Sequence, residues 1–88
     1  MTSTNLIIHG RVQGVVYRDW TVRAARQHGV AGWVRNLPDG TVEAHLEGEE
    51  QAVEDMIAAM HDGPPSAEVD RIEHSDAEAQ GCEGFERR

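Results

Sequence analysis

The chain has 88 residues, 39% of them apolar, and a net charge of −8. That is the size of one domain, expected to span residues 1–88, which buries roughly 60% of its unfolded surface around one modest core. No run reaches the ~18 apolar residues of a membrane span, no basic and apolar leader opens the chain, and the single cysteine, Cys82, has no partner for an internal disulfide, which suits a reducing cytoplasm.

Asn5 to Val12 reads as the first strand, with Leu6 and Ile8 alternating against Ile7 and His9. Gln13 to Tyr17 is a loop flanked by glycine, and Arg18 to His28 reads as a helix with a small-residue face (Tyr17, Thr21, Ala24, Ala25, His28) stopped by Gly29. Val30 to Leu37 is the second strand. Pro38-Asp39-Gly40 is turn chemistry, and Thr41 to Glu47 returns as the third strand of a hairpin, with Val42, Ala44 and Leu46 opposite in facing to Glu43, His45 and Glu47. A second helix from about Glu49 to Asp62 carries the stripe Val53, Met56, Ile57, Met60 and ends at Gly63-Pro64-Pro65. Ala67 to His74 reads as the fourth strand, with an irregularity between the inward Val69 and Ile72. A polar connection then leads to a short edge strand, Cys82 to Arg87, anchored by Phe85. The order β-α-β-β-α-β with two right-handed crossovers predicts an α+β, ferredoxin-like sandwich: an antiparallel sheet with both helices packed on one face. That fold hosts many functions and selects none.

Charge is unevenly spread. Residues 1–44 hold five Arg and three acids, a sum of +2, whereas residues 45–88 hold three Arg and thirteen acids, a sum of −10. The acidic excess and the scarcity of aromatic residues argue against a nucleic-acid binder, which shows a basic face and stacking platforms. The positive half contains the stretch from His9 to Arg18, a strand running into a glycine-flanked loop and then a helix start. Loop N–H groups and the unpaired N–H groups of a first helical turn can converge on one point, and Arg18 adds a charged, planar fork of donors there. Such a place suits an anion, phosphate above all. An arginine at a helix start would by itself be a surface charge, and an asparagine such as Asn36 beside a turn would be a turn former.

The five histidines show no metal-ligand spacing, Cys82 has no neighbouring cation or helix start to activate it, and Glu47, Glu49 and Glu50 read as a solvated helix start. No metal site is expected. Arg35 is expected to be solvated or paired with an acid, Trp33 to pack in the core or against the site wall, and Gln13 to brace the loop.

Two stretches in sequence, GRVQGVVYR (residues 10–18) and GVAGWVRNLPDGTVE (residues 29–43), resemble the acylphosphatase family. Its pattern is a G-x-V-Q-G-V-x-[FY]-R loop followed by a G-W-V-[RK]-N-x-x-D-G strand and turn. The resemblance covers nearly the whole chain and is strongest between Gly10 and Glu43. It implies metal-independent hydrolysis of acyl phosphates to a carboxylate and inorganic phosphate, with no cofactor. It assigns phosphoryl binding to Arg18 together with the backbone amides of Gln13, Gly14, Val15, Val16 and Tyr17. It assigns the positioning of the attacking water to Asn36. The expected partner is a small-molecule acyl phosphate, with no nucleic acid and no membrane, and the expected form is a cytoplasmic, free-standing monomer rather than the front domain of a larger carbamoyl-transferring enzyme. A phosphate-binding module without turnover is the alternative on the same fold. Three positions depart from the pattern. Val16 stands where many members have glycine, and its β-branched side chain is strained if the backbone there is left-handed. Tyr17 replaces the commoner phenylalanine and needs a partner for its hydroxyl. His28 replaces an aliphatic residue.

Overall fold

A computed structural model describes residues 1–14 and 16–88. The elements run β1 (Thr2–Arg11), α1 (Tyr17–His28), β2 (Ala31–Asn36), β3 (Val42–Gly48), α2 (Glu50–Asp62), β4 (Glu68–Asp76) and β5 (Phe85–Arg87). The strands form one sheet in the order β4-β1-β3-β2-β5. The first four pair antiparallel, while β5 runs parallel to β2. The sheet is therefore mixed rather than wholly antiparallel: the connection from β4 crosses the sheet and enters β5 in the direction of β2.

Alternation sets the core. Leu6 and Ile8 of β1, Val34 of β2 and Val42, Ala44 and Leu46 of β3 face one side and are buried there with Tyr17, Ala24 and Ala25 of α1 and Val53, Met56 and Met60 of α2. Each large side chain fully removed from water contributes ~1.5–3 kcal/mol, so this layer holds the helices to the sheet. The apolar stripe of α2 is as the periodicity predicts, with Ile57 partly buried at its margin. Gly29 caps α1 with a left-handed backbone, and its N–H returns to the last turn.

β1 starts three residues earlier than its apolar pattern. Thr2, Ser3 and Thr4 are polar, but they pair with Gly48, Glu47 and Leu46, and Thr4 Oγ1 donates to the Ser75 carbonyl at 2.9 Å. Ladder partners from distant segments outweigh local composition here. The irregularity expected in β4 is a bulge: His9 pairs with Arg71 and Gly10 with Val69, leaving Asp70 over. Gly10 permits that approach, since a Cβ there would meet the Glu68 carbonyl oxygen. Gly32 has the same need on β2, at φ 143°, where a Cβ would run into the His45 carbonyl oxygen and crowd the Phe85 ring. That close contact is what allows β5 to lie alongside β2 and reach the end of α1.

Candidate active site

Val12 is buried, and Gly14 turns the chain at φ 72°. Val16 sits at φ 58°, ψ 19°, the left-handed region, with its side chain 63% exposed. Among the described residues it is the one non-glycine with positive φ, and such a β-branched residue is strained. α1 begins at Tyr17, one residue before the expected start, and the first helical hydrogen bond runs from Trp20 N–H to the Val16 carbonyl at 3.0 Å. The N–H groups ahead of it have no acceptor within the helix. Tyr17 is buried, and its hydroxyl donates to the Met60 carbonyl at 2.9 Å, tying α1 to α2; burial pushes the phenol far above its ordinary pKa. The family's commoner phenylalanine would lack that tie. Val15 lies outside the described residues.

Asn36, the last residue of β2, comes to the same place. The register that sets Asn36 opposite Val42 and Val34 opposite Ala44 turns its side chain to the helix side of the sheet. Its Oδ1 is buried and has no hydrogen-bond partner among the described residues. Buried polar atoms are paired in the great majority of cases, so this open acceptor is an exception in the fold. The following turn is stiffened by Asp39, whose Oδ1 accepts from Thr41 N–H (3.0 Å) and Thr41 Oγ1 (2.6 Å). Those bonds hold its carboxyl below the ordinary carboxylate value. Gln13 Nε2 donates to the carbonyls of Leu37 and Thr41, both at 2.7 Å. The side chain of Gln13 thus fastens the loop to the turn, and so keeps Asn36 beside it.

Arg18 and Asn36 line one cleft of about 230 Å³ with Gly14, Val16 and Tyr17. Sites for drug-sized ligands run to roughly 300–1,000 Å³, so this cleft takes something small. Arg18 Nη1 donates to the Arg88 carbonyl at 2.8 Å, which ties the guanidinium to the end of β5. Asp19 and Arg87 also line the cleft and pair with each other at 2.8 Å. A larger groove of about 720 Å³ lies along β5 and the end of α1. Its arginines are already engaged: Arg26 with the Phe85 carbonyl, and Arg88 with Glu86 and over the Trp33 ring.

The opposite sheet face holds a polar cluster that the sequence reading missed. Glu47 is not part of a solvated helix start. It is 4% exposed, in β3, beneath the connection between β4 and β5, whereas Glu49 and Glu50 are exposed as expected. Its carboxylate accepts the N–H of Gln80, the N–H of Cys82 at 3.2 Å and His45 Nε2 at 2.6 Å. His45, fully buried, also meets Asn5 Oδ1 through Nδ1 at 2.6 Å. Burial pushes Glu47 upward, but these donors outweigh it and hold the carboxyl below its ordinary value. Burial and the Glu47 charge push the Cys82 thiol up. His45, Glu47 and Cys82 are the one group among the described residues whose ligand atoms gather closely enough for a metal ion, within 4.8 Å of one another. Both oxygens of Glu47 are already committed to donors, so the group works as a clamp on the connection. Trp33 is buried against it, stacked on His45, with its Nε1–H donated to Gln80 Oε1 at 2.9 Å. Arg35 pairs with Glu43 at 2.6 Å.

Arg18 and Asn36, 18 residues apart in the sequence, therefore line one cleft with the loop residues Gly14, Val16 and Tyr17. Asp19, Arg87 and the Arg88 carbonyl join them without any local signal, since β5 is three residues long and is positioned by pairing alone.

The acylphosphatase family model matches residues 4–87. An acylphosphatase of Thermococcus kodakarensis is 56% identical over 81 residues, covering 92% of this chain and 89% of that protein. One of Acidiphilium cryptum is 48% identical over 88 residues, covering 100% of this chain and 97% of that protein. The crystal structure of acylphosphatase from Bacillus subtilis superposes with a TM-score of 0.96 at 34% identity, covering 100% of this chain and 99% of that one. By sequence and by fold the chain belongs to the acylphosphatase family of enzymes, which hydrolyse acyl phosphates.

Proposed function

We propose that Arg18 and the backbone amides of Gln13, Gly14, Val15, Val16, Tyr17 and Arg18 bind the phosphoryl group of an acyl phosphate, and that Asn36 positions the attacking water. The observation that carries this reading is that Arg18 and Asn36 line one small cleft, with Asn36 Oδ1 buried and without a hydrogen-bond partner among the described residues. A water donating one hydrogen to that oxygen keeps its lone pair free, while the Asn36 amide can donate to a phosphoryl oxygen. Holding water and phosphorus together converts an encounter into a positioned displacement. The water oxygen bonds to phosphorus, the bond from phosphorus to the acyl oxygen breaks, the carboxylate leaves, and the water's proton passes to a phosphate oxygen. Charge spreads over the equatorial oxygens, where a guanidinium and fixed N–H groups are most effective.

The reaction needs no metal in this scheme. Among the described residues the one carboxylate lining the cleft, Asp19, is paired with Arg87, so no set of anionic ligands converges there. The physiological setting that fits is a cytoplasmic monomer acting, as one domain, on small acyl phosphates and releasing inorganic phosphate, with neither nucleic acid nor membrane as partner. The lone cysteine and the acidic second half of the chain support it. No helix among the described residues is long and apolar enough to cross a membrane.

The test is hydrolysis of benzoyl phosphate by chelator-treated protein, beside Arg18→Ala and Asn36→Ala variants with native circular dichroism. Turnover should survive chelation and fall by at least about 10²-fold in each variant, the usual cost of removing one preorganised charge-stabilising group. An Asn36→Ala variant within a few-fold of the parent would remove its assigned role. A folded parent with no turnover would make the chain a phosphate-binding module.

A further inference from the structure

Arg87 lines the cleft, but the proposed hydrolysis makes no use of it. The parallel register of β5 on β2 sets Arg87 beside Val34, on the same sheet face as Asn36 and two residues behind it. α1 brings Asp19 to the other side, and Arg87 Nη1 bonds Asp19 Oδ1 at 2.8 Å. The two side chains are 52% and 49% exposed. An ion pair so open to water contributes little to stability. Asp19 released from it would remain favourably placed in the first turn of a helix. A competing anion can therefore take Arg87 over at small cost. Of the three arginines in residues 45–88, Arg87 lines the cleft, whereas Arg88 offers Arg18 only its backbone carbonyl and lays its guanidinium over the Trp33 ring. The phosphoryl group is already supplied by Arg18 and the loop amides. A second guanidinium in so small a cleft, about 230 Å³, is within reach of a short acyl chain only.

We propose that Arg87 is a second anion contact, on the acyl side of the cleft, that favours acyl phosphates whose short acyl chain ends in a carboxylate. Such a ligand displaces Asp19 and receives the planar fork of the guanidinium. The inference rests on the reading of Arg18 as the phosphoryl-binding residue.

Binding of two stable phosphonate analogues, 3-carboxypropanoyl phosphonate and acetylphosphonate, would be measured by calorimetry at low salt. The quantity read is the ratio of their affinities. In the unmodified protein the carboxylated analogue should bind more tightly. Arg87→Ala should shrink the ratio about tenfold, the loss of one charge-assisted contact, and Asp19→Asn, which frees Arg87, should enlarge it. Added salt should shrink it in the unmodified protein and leave it flat in Arg87→Ala. An unmoved ratio in both variants, with both analogues bound, would overturn the second contact and leave the phosphoryl site standing. Equal weakening of both analogues by Arg87→Ala would make Arg87 a phosphoryl ligand instead, and would also overturn it. Failure of either analogue to bind the unmodified protein at all would overturn the phosphoryl-site reading and this one with it. Because Arg87 is half exposed, the alanine variant should fold. Asp19→Asn decides the matter independently if it does not.

Discussion

Glu47→Gln should destabilise the protein far more than any surface charge does, although the two side chains have nearly the same shape. The carboxylate accepts three donors: Gln80 N–H, Cys82 N–H and His45 Nε2–H. A glutamine amide offers one acceptor oxygen and turns an NH₂ group toward the remaining donors. Hydrogen bonds to a charged acceptor contribute about 1.5–3 kcal/mol each, and a buried donor left without an acceptor costs about 1–3 kcal/mol. Weakening the set and orphaning one donor gives a loss of roughly 2–4 kcal/mol. For a chain of this length that lowers Tm by about 10–30 °C, at roughly 4–8 °C per kcal/mol. The control is Glu43→Gln, which breaks the pair with half-exposed Arg35 and should cost no more than about 1 kcal/mol. The sign of the pH effect follows from the carboxyl being held below its ordinary value when folded. Its contribution is complete above the unfolded carboxylate pKa and disappears as pH falls through the folded one, because protonated Glu47 is then no better an acceptor than glutamine. The gap between parent and variant should thus be full at pH 7 and narrow steadily below the ordinary carboxylate range. Thermal and urea melts monitored by circular dichroism across that range would read it. A loss at pH 7 no greater than that of Glu43→Gln, or a gap that widens with acid, would refute the clamp.

Three further outcomes can be checked with the same protein. Val16→Gly should keep or raise turnover of benzoyl phosphate. It should also be more stable than Val16→Ala by about 0.5–1 kcal/mol, the ~1–2 kcal/mol of left-handed strain reduced by the ~0.4–1 kcal/mol of chain freedom that glycine adds to the unfolded state; an alanine variant as stable as the glycine one would contradict the backbone at φ 58°. The rate should vary little between about pH 5 and 7.5, since arginine stays charged there and asparagine does not titrate; a bell-shaped profile centred on a histidine value would require a general base that the scheme omits. Gln13→Ala should lower turnover through a looser Asn36, because the Leu37 and Thr41 carbonyls would keep only their turn partners, Gly40 N–H and Leu37 N–H, and the loop would lose its tie to them. Its loss should be smaller than that of Asn36→Ala, and a larger loss would make Gln13 a direct participant.

What local sequence determined is what depends on neighbours along the chain. Helix α2 is set by the spacing of Val53, Met56 and Met60, α1 by its small-residue face and Gly29, and the hairpin by Pro38-Asp39-Gly40 between two alternating runs. The bulge in β4 was readable because Val69 and Ile72 fall out of step for a period of two. Arg18 and Asn36 were singled out by the two motifs that resemble the family pattern, since locally they read as a surface charge and a turn former; the fold brings both to one cleft. What only the tertiary structure decided depends on pairing between distant segments. Glu47 looks like one of several acids near a helix start, yet Gln80, 33 residues away, makes it a buried acceptor. Arg87 and Asp19 are 68 residues apart and meet because a three-residue strand pairs parallel with β2. Strand residues Thr2 to Thr4 have no apolar pattern and are held by their ladder partners. Periodicity reports which face of an element is apolar, but not which other element will cover its polar face. That is settled by sheet order, and in this chain sheet order places both the clamp at Glu47 and the second arginine of the cleft.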